Sequence, residues 1–188
     1  MVESFDGVKI VYDVAASGVS ISPESDQPTL VFIHGWACNR SHWVEQVTAF
    51  SDLFTVVTID LAGHGDASFE RTDYSMESFA RDVKTVLDRE QIERAVLVGH
   101  SMGGMVIAHT ARLLGGRVIG LIGADTFKFV RDDPRTGKQA AQAERITADY
   151  EAAIESIVAS MFADNTSDEL RRSISEGMLT VPKQVAIG

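Results

Sequence analysis

The sequence predicts an α/β fold built on a mostly parallel sheet with flanking helices. Two observations lead there. Short, continuous apolar runs such as TLVFIH (29–34), FTVVTID (54–60) and RAVLVG (94–99) have the length and composition of strands buried on both faces. Helical patterns alternate with them, which is the order of a parallel sheet crossed by helices. With 188 residues the chain can bury one sizeable core.

The elements follow in order. Residues 8–15, VKIVYDVA, read as a strand, and 17–28, SGVSISPESDQP, as a polar, turn-rich loop. Strand 29–34 breaks into the loop GWACNRSHW, and a short helix is expected over 42–50. Strand 54–60 runs into LAGHGDASFERTDY, another loop. In 75–90, Met76, Phe79, Ala80, Val83, Val86 and Leu87 recur at helical spacing and define one apolar face, with Ser75 placed to cap it. Strand 94–99 is followed by a helix in HSMGGMVIAHTARLL, and RVIGLIGA (117–124) is a further strand.

Beyond Asp125 the texture changes. RDDPRTGKQA (131–140) reads as a polar connector, and only helical patterns follow from about residue 141 to 187. Tyr150, Ile154, Ile157, Val158, Met161 and Phe162 mark an apolar face within 149–163. Thr166 and Glu169 have capping-box spacing before a helix over 167–177, and Pro182 suits the first turn of a short last one. The expected division is a core over 1–130 and a helical segment over 131–188.

Composition narrows the partners. A net charge of -10 argues against nucleic acid and anionic membrane surfaces. The apolar runs are strand-length, too short to span a bilayer. Cys38 is the single cysteine, so no intrachain disulfide can form, which suits a reducing, cytoplasmic setting. The start, MVESFDGVKIVYDV, lacks the basic-then-apolar pattern of a signal peptide. No cofactor and no metal is expected.

The stretch Gly99-His100-Ser101-Met102-Gly103 fits G-x-S-x-G between an apolar strand and an amphipathic helix. That context is the one a nucleophile elbow requires. Side chains at the flanking positions would collide with the neighbouring strand and helix, so glycine stands there. The helix start turns its free N–H groups and positive dipole end toward a developing oxyanion.

Four blocks in order, FIHGW (32–36), DLAGHG (60–65), VGHSMGG (98–104) and GADT (123–126), resemble the α/β-hydrolase superfamily in its lipase/esterase-like branch with a helical cap. The resemblance implies that Ser101 is the nucleophile and that the backbone N–H groups of Trp36 and Met102 form the oxyanion hole. It makes Asp60 and the Gly63-His64-Gly65 turn structural, and the helices after residue 131 a cap. Relatives acting on epoxides or haloalkanes carry aspartate at the nucleophile, so serine here favours acyl transfer from esters, thioesters or related groups. Asp125 follows a strand at the carboxyl end of the sheet, where a minority of the family place the triad acid; a carboxylate capping the turn is the other reading.

The family's base is a histidine near the end of the fold, after the last strand. The five histidines here are 34, 42, 64, 100 and 109, and none follows Asp125. His34 belongs to the oxyanion loop and His64 to the glycine turn. His100 adjoins the nucleophile, so its side chain should diverge from that of Ser101. His109 lies about two helical turns on. His42 begins the first helix and would need an unusual loop path to reach the site. Cys38 reads as a wall or loop residue. The resemblance implies two more strands and a helix after the cap. The chain is therefore expected to be the N-terminal part of a longer hydrolase, with an open sheet edge inviting self-association or a complementing chain that supplies the histidine. Three functions stay open: a serine hydrolase on a small-molecule acyl substrate, a non-catalytic chain for ligand or partner binding, and a cofactor-free haloperoxidase or perhydrolase.

Overall fold

A computed structural model describes residues 1–16, 27–126 and 138–187. One sheet contains β1 (Val2–Glu3), β2 (Lys9–Ala15), β3 (Thr29–Ile33), β4 (Val56–Asp60), β5 (Ala95–His100) and β6 (Val118–Ala124), in the order β1-β2-β4-β3-β5-β6. The strands β4, β3, β5 and β6 run parallel, while β2 pairs antiparallel with β4 and β1 antiparallel with β2. The helices are α1 (Val44–Phe50), α2 (Met76–Arg89), α3 (Met102–Leu114), α4 (Lys138–Ala148), α5 (Tyr150–Met161), α6 (Asp168–Leu179) and α7 (Lys183–Ile187). Two residues of β1 are too few to leave a pattern, so that strand was not legible.

Alternation along the central strands builds the layers. Every residue of β3 and β4 is buried. Val31 and Ile33 of β3 face one side, where Phe79, Val83, Val86 and Leu87 of α2 and Val106 and Ile107 of α3 complete the main cluster. Leu30 and Phe32 face the other side, with Trp43 and Val98. A third cluster joins Ile154 and Val158 of α5, Met178 of α6 and Val185 of α7 to Ala37, in the loop after β3. The helices after residue 138 thus sit on the loop that leaves the carboxyl end of β3.

Ser75 caps α2 as expected, accepting from the Ser78 N–H. Three local readings are corrected. The helix expected over 42–50 is a 3₁₀ turn, Arg40–Trp43, running into α1, because Asn39 caps it by accepting from the Ser41 N–H. The cap of α6 is Ser167, whose side chain accepts from the Leu170 N–H, so the Thr166 box is displaced by one residue. On α5, Ala153 is buried with Ile154 and Val158, while Met161 is 56% exposed at the helix end. Helix α4 begins inside the segment read as a connector; 131–137 and 17–26 lie outside the described residues.

Among the described residues the strand β6 is hydrogen-bonded on one side only, to β5, and Ile119, Leu121 and Ile122 on it are exposed. No helix among the described residues is long and apolar enough to cross a membrane.

A buried ion pair ties the N-terminal strands to α2. The Asp82 carboxylate accepts from Arg71 at 2.6 and 2.7 Å and from the Ser4 hydroxyl at 2.5 Å, with both charged side chains almost fully buried. Removing one partner strands the other charge in the interior. Arg71→Met is therefore expected to lower stability by about 3–5 kcal/mol in urea unfolding. The double replacement Arg71→Met/Asp82→Leu should recover most of that loss.

Candidate active site

The centre of the site is the turn between β5 and α3. Ser101 has φ 50° and ψ −116°, a left-handed backbone that costs a non-glycine residue about 1–3 kcal/mol. Its neighbours compel it. A β-carbon on Gly103 would lie 2.5 Å from the Ile33 carbonyl oxygen and 2.6 Å from that of His34. One on Gly99 would overlap the Gly103 carbonyl. The helix start is thus pressed against β3 and β5, and Ser101 takes up the sharp reversal.

The end of β6 is laced to the same turn. The Ser101 N–H donates to the Ala124 carbonyl at 3.1 Å, and the Thr126 hydroxyl donates to the Ser101 carbonyl at 2.7 Å. Asp125, between those residues, also has positive φ, which aspartate tolerates better than most. Ser101 and Asp125 line one cavity of about 690 Å³.

The loop after β3 forms the opposite wall. His34 is buried; its Nδ1 donates to the Gly35 carbonyl at 2.8 Å, which leaves Nε2 to accept from the Leu61 N–H at 3.1 Å. His64, 5.0 Å away ring to ring, donates from Nδ1 to the Ala62 carbonyl at 3.0 Å. Burial drives both imidazoles below their ordinary pKa, His34 strongly. Asp60 is structural: buried at the end of β4, it accepts from the N–H groups of Arg40 and Asp66 at 2.7 and 2.9 Å and pairs with the Arg40 guanidinium. The Trp36 indole N–H donates to the Ala186 carbonyl at 3.1 Å, tying this loop to α7. The backbone N–H groups of Trp36 and Met102 make no turn or loop hydrogen bond among the described residues.

Of the histidines, two are brought further in than the sequence suggests. His42 lines the cavity with Ser101, contrary to the expectation that it stays away. The reason is Arg40. Its ion pairs with Asp13, Asp60 and Asp66 pin the 3₁₀ turn over the loop and carry His42 to the rim of the sheet. His100 lines it too. A β-carbon on Gly35 would sit 2.8 Å from His100 Nδ1 and 3.2 Å from Ser101 Cβ, so these three residues meet at one point. Burial lowers the pKa of both His42 and His100, and the proximity of His100 lowers that of His42 further. No hydrogen bond joins the Ser101 hydroxyl to a histidine among the described residues. Cys38 is in the wall as expected, its thiol pushed up to about 11 by burial and therefore protonated. Met161, Phe162 and Met178 close the far side. Trp43 and Gln46 also line the cavity, and the sequence reading missed them. Their only signal was i, i+4 spacing of Gln46 from His42.

Comparison with known proteins identifies the fold family. The family model for the alpha/beta hydrolase fold matches residues 28–163. A pimeloyl-[acyl-carrier protein] methyl ester esterase from Vibrio campbellii is 33% identical over 140 residues, which are 70% of this chain and 52% of that protein. The dihydrolipoyllysine-residue acetyltransferase component of the acetoin cleaving system from Cupriavidus necator is 34% identical over 106 residues, 56% of this chain and 26% of that protein. The solved structure of Est816, an N-acyl homoserine lactone degrading enzyme, superposes with a TM-score of 0.78 at 28% identity, covering 96% of this chain and 67% of that one. The chain spans about a quarter to a half of the length of these curated relatives.

The buried histidines make stability depend on pH. Both fold in the neutral form with pKa values below the ordinary 6.5, so the unfolded chain binds more protons once pH falls under that value. Stability is therefore full above pH 6.5 and declines as pH falls from there toward the folded-state values. The expected slope reaches about 1.4 kcal/mol per pH unit for each histidine in denaturant titrations. His64→Gln should reduce that slope.

Proposed function

The chain belongs to the α/β-hydrolase fold family, and on that premise we propose that it is a serine hydrolase of small carboxylic esters or related acyl substrates. The observation that carries the reading is Ser101, held at a strained turn on the floor of a cavity that also contains Asp125. In this reading Ser101 Oγ attacks the acyl carbon, and the carbonyl electron pair moves onto oxygen. The N–H groups of Met102 and Trp36 receive that oxyanion, each worth about 3–4 kcal/mol of barrier by analogy with single-donor losses elsewhere. Collapse expels the alcohol, and water then releases the acid from the acyl-enzyme. A serine nucleophile makes the intermediate an ester of Ser101. The methyl ester esterase and the lactone-degrading relative support an ester or lactone as the bond cleaved.

The serine proton needs an acceptor, and no histidine is hydrogen-bonded to it among the described residues. On this reading the acceptor is brought to the cavity from outside them, and Asp125 is the group that orients it. A missing general base costs about 10²–10⁴ in rate. The same observation favours a second reading, a chain that binds ligand in this cavity without turning it over.

The two readings separate by chemical rescue. With p-nitrophenyl butyrate as substrate, the serine hydrolase reading expects slow release of nitrophenol that rises about tenfold or more in added imidazole. Both the basal rate and the rise should vanish in Ser101→Ala. Equal rates for the parent and Ser101→Ala at every imidazole concentration would leave the binding reading in its place.

A further inference from the structure

The loop after β3 is held at both ends and in the middle, and the middle hold is unusual. Gly35 opens the loop, wedged where a β-carbon would lie 2.8 Å from His100 Nδ1 and 3.2 Å from Ser101 Cβ. Arg40 closes it, fixed by Asp13, Asp60 and Asp66. Between them Gly35 to Cys38 form a four-residue turn, in which the Cys38 N–H donates to the Gly35 carbonyl at 3.2 Å. Trp36 and Ala37 are its central residues. Ala37 has φ 54°, a left-handed backbone, while Trp36 does not have positive φ. A turn with positive φ at its third position alone calls for glycine there. Alanine stands there instead.

A residue with a β-carbon is disfavoured in that conformation, so the turn does not support itself. Packing offsets the strain. Ala37 is fully buried, and among the described residues it is the only buried member of the third cluster that precedes Lys138. The other buried members are Ile154 and Val158 of α5, Met178 of α6, Val181, and Val185 and Ala186 of α7. The Ala37 methyl is therefore enclosed by the helices that follow residue 138. Those helices are tied to one another, with the Tyr150 hydroxyl on α5 donating to the Val181 carbonyl at 2.8 Å. They also hold the neighbouring residue, because the Trp36 indole N–H donates to the Ala186 carbonyl. Both central residues of the turn are thus gripped from the same side, one by a hydrogen bond and one by its methyl group.

Glycine at position 37 would take up the turn unaided and give the helices nothing to grip. Alanine makes the shape of the loop depend on the helices being seated. We propose that Ala37 is a positioning residue, through which the helices after residue 138 hold the Trp36 N–H where it receives the oxyanion. Seating those helices over the cavity and completing the oxyanion hole are then one event. The proposal rests on the serine hydrolase reading for the oxyanion; the hold on the loop stands apart from it.

Val158→Ala, and the milder Ile154→Val, loosen the cluster without altering a residue described as lining the Ser101 cavity. Amide exchange at Cys38, followed by nuclear magnetic resonance, reads the turn without any chemistry. The oxyanion hole is read by Ser101-dependent rates on p-nitrophenyl butyrate and its thiono analogue in added imidazole, since a thiocarbonyl sulfur accepts hydrogen bonds poorly. Val158→Ala is expected to speed Cys38 exchange and to lower the oxygen-to-sulfur rate ratio, each by about fivefold. Adding Ala37→Gly should return both to within about twofold of the parent, because glycine adopts the turn freely. If the Ala37 methyl only filled space, that second substitution would remove more packing and deepen the loss. Should Val158→Ala lose its native near-ultraviolet dichroism, Ile154→Val carries the same comparison. A parent value of the exchange rate or of the ratio in the folded helix variant, or a loss that Ala37→Gly does not reverse, would overturn the proposal. Cys38 protection lost and regained in this way, with no Ser101-dependent hydrolysis in any variant, would remove the hydrolase reading and leave the hold on the loop standing.

Discussion

The contact on which the rest depends is the close approach of α3 to β3 and β5. Gly103 sits against the carbonyls of Ile33 and His34, and Gly99 against the Gly103 carbonyl, at separations no side chain could share. That approach leaves no room for a gradual turn between strand and helix. Ser101 absorbs the reversal in a left-handed conformation, and the helix points its first free N–H groups at the space beside it. The strain is offset by packing: Val106 and Ile107 of α3 are fully buried in the main cluster, and the Ser101 backbone is bonded to Ala124 and Thr126.

From this contact the cavity follows. Pressing α3 onto β3 also sets the loop after β3, where His34 bridges to β4 through the Leu61 N–H and Gly35 passes between His100 and Ser101. A second anchor, Arg40 among three aspartates, folds the next stretch back over that loop. The nucleophile turn and the cavity wall that carries His42 are thus set by different forces, one steric and one ionic. The helices after residue 138 complete the enclosure through Ala37, Trp36 and Met178.

What was legible in the sequence tracks how local its cause is. The central strands could be read because both faces are buried and nearly every residue is apolar. The elbow could be read because steric exclusion forces glycine at two fixed offsets from serine. Helix α2 had an apolar stripe and a capping serine. The two-residue β1 had no pattern to offer. The capping serine of α6 stood one residue from a threonine equally suited by type, and only the backbone geometry chose between them. The arrival of His42, Trp43 and Gln46 at the cavity depended on Arg40 meeting Asp13, Asp60 and Asp66, partners up to 27 residues away. Nothing in the spacing of histidine, tryptophan and glutamine announces that meeting.

The strained serine at the floor of the cavity is the central claim, and covalent trapping tests it most directly. The folded chain would be incubated with a fluorophosphonate in added imidazole, which supplies the proton acceptor, and mapped by peptide mass spectrometry. The account predicts a single adduct, on Ser101, absent from Ser101→Ala and lost as well in Gly103→Ala, where the helix can no longer approach β3. No adduct on the folded chain, or one that persists in Ser101→Ala, would contradict it.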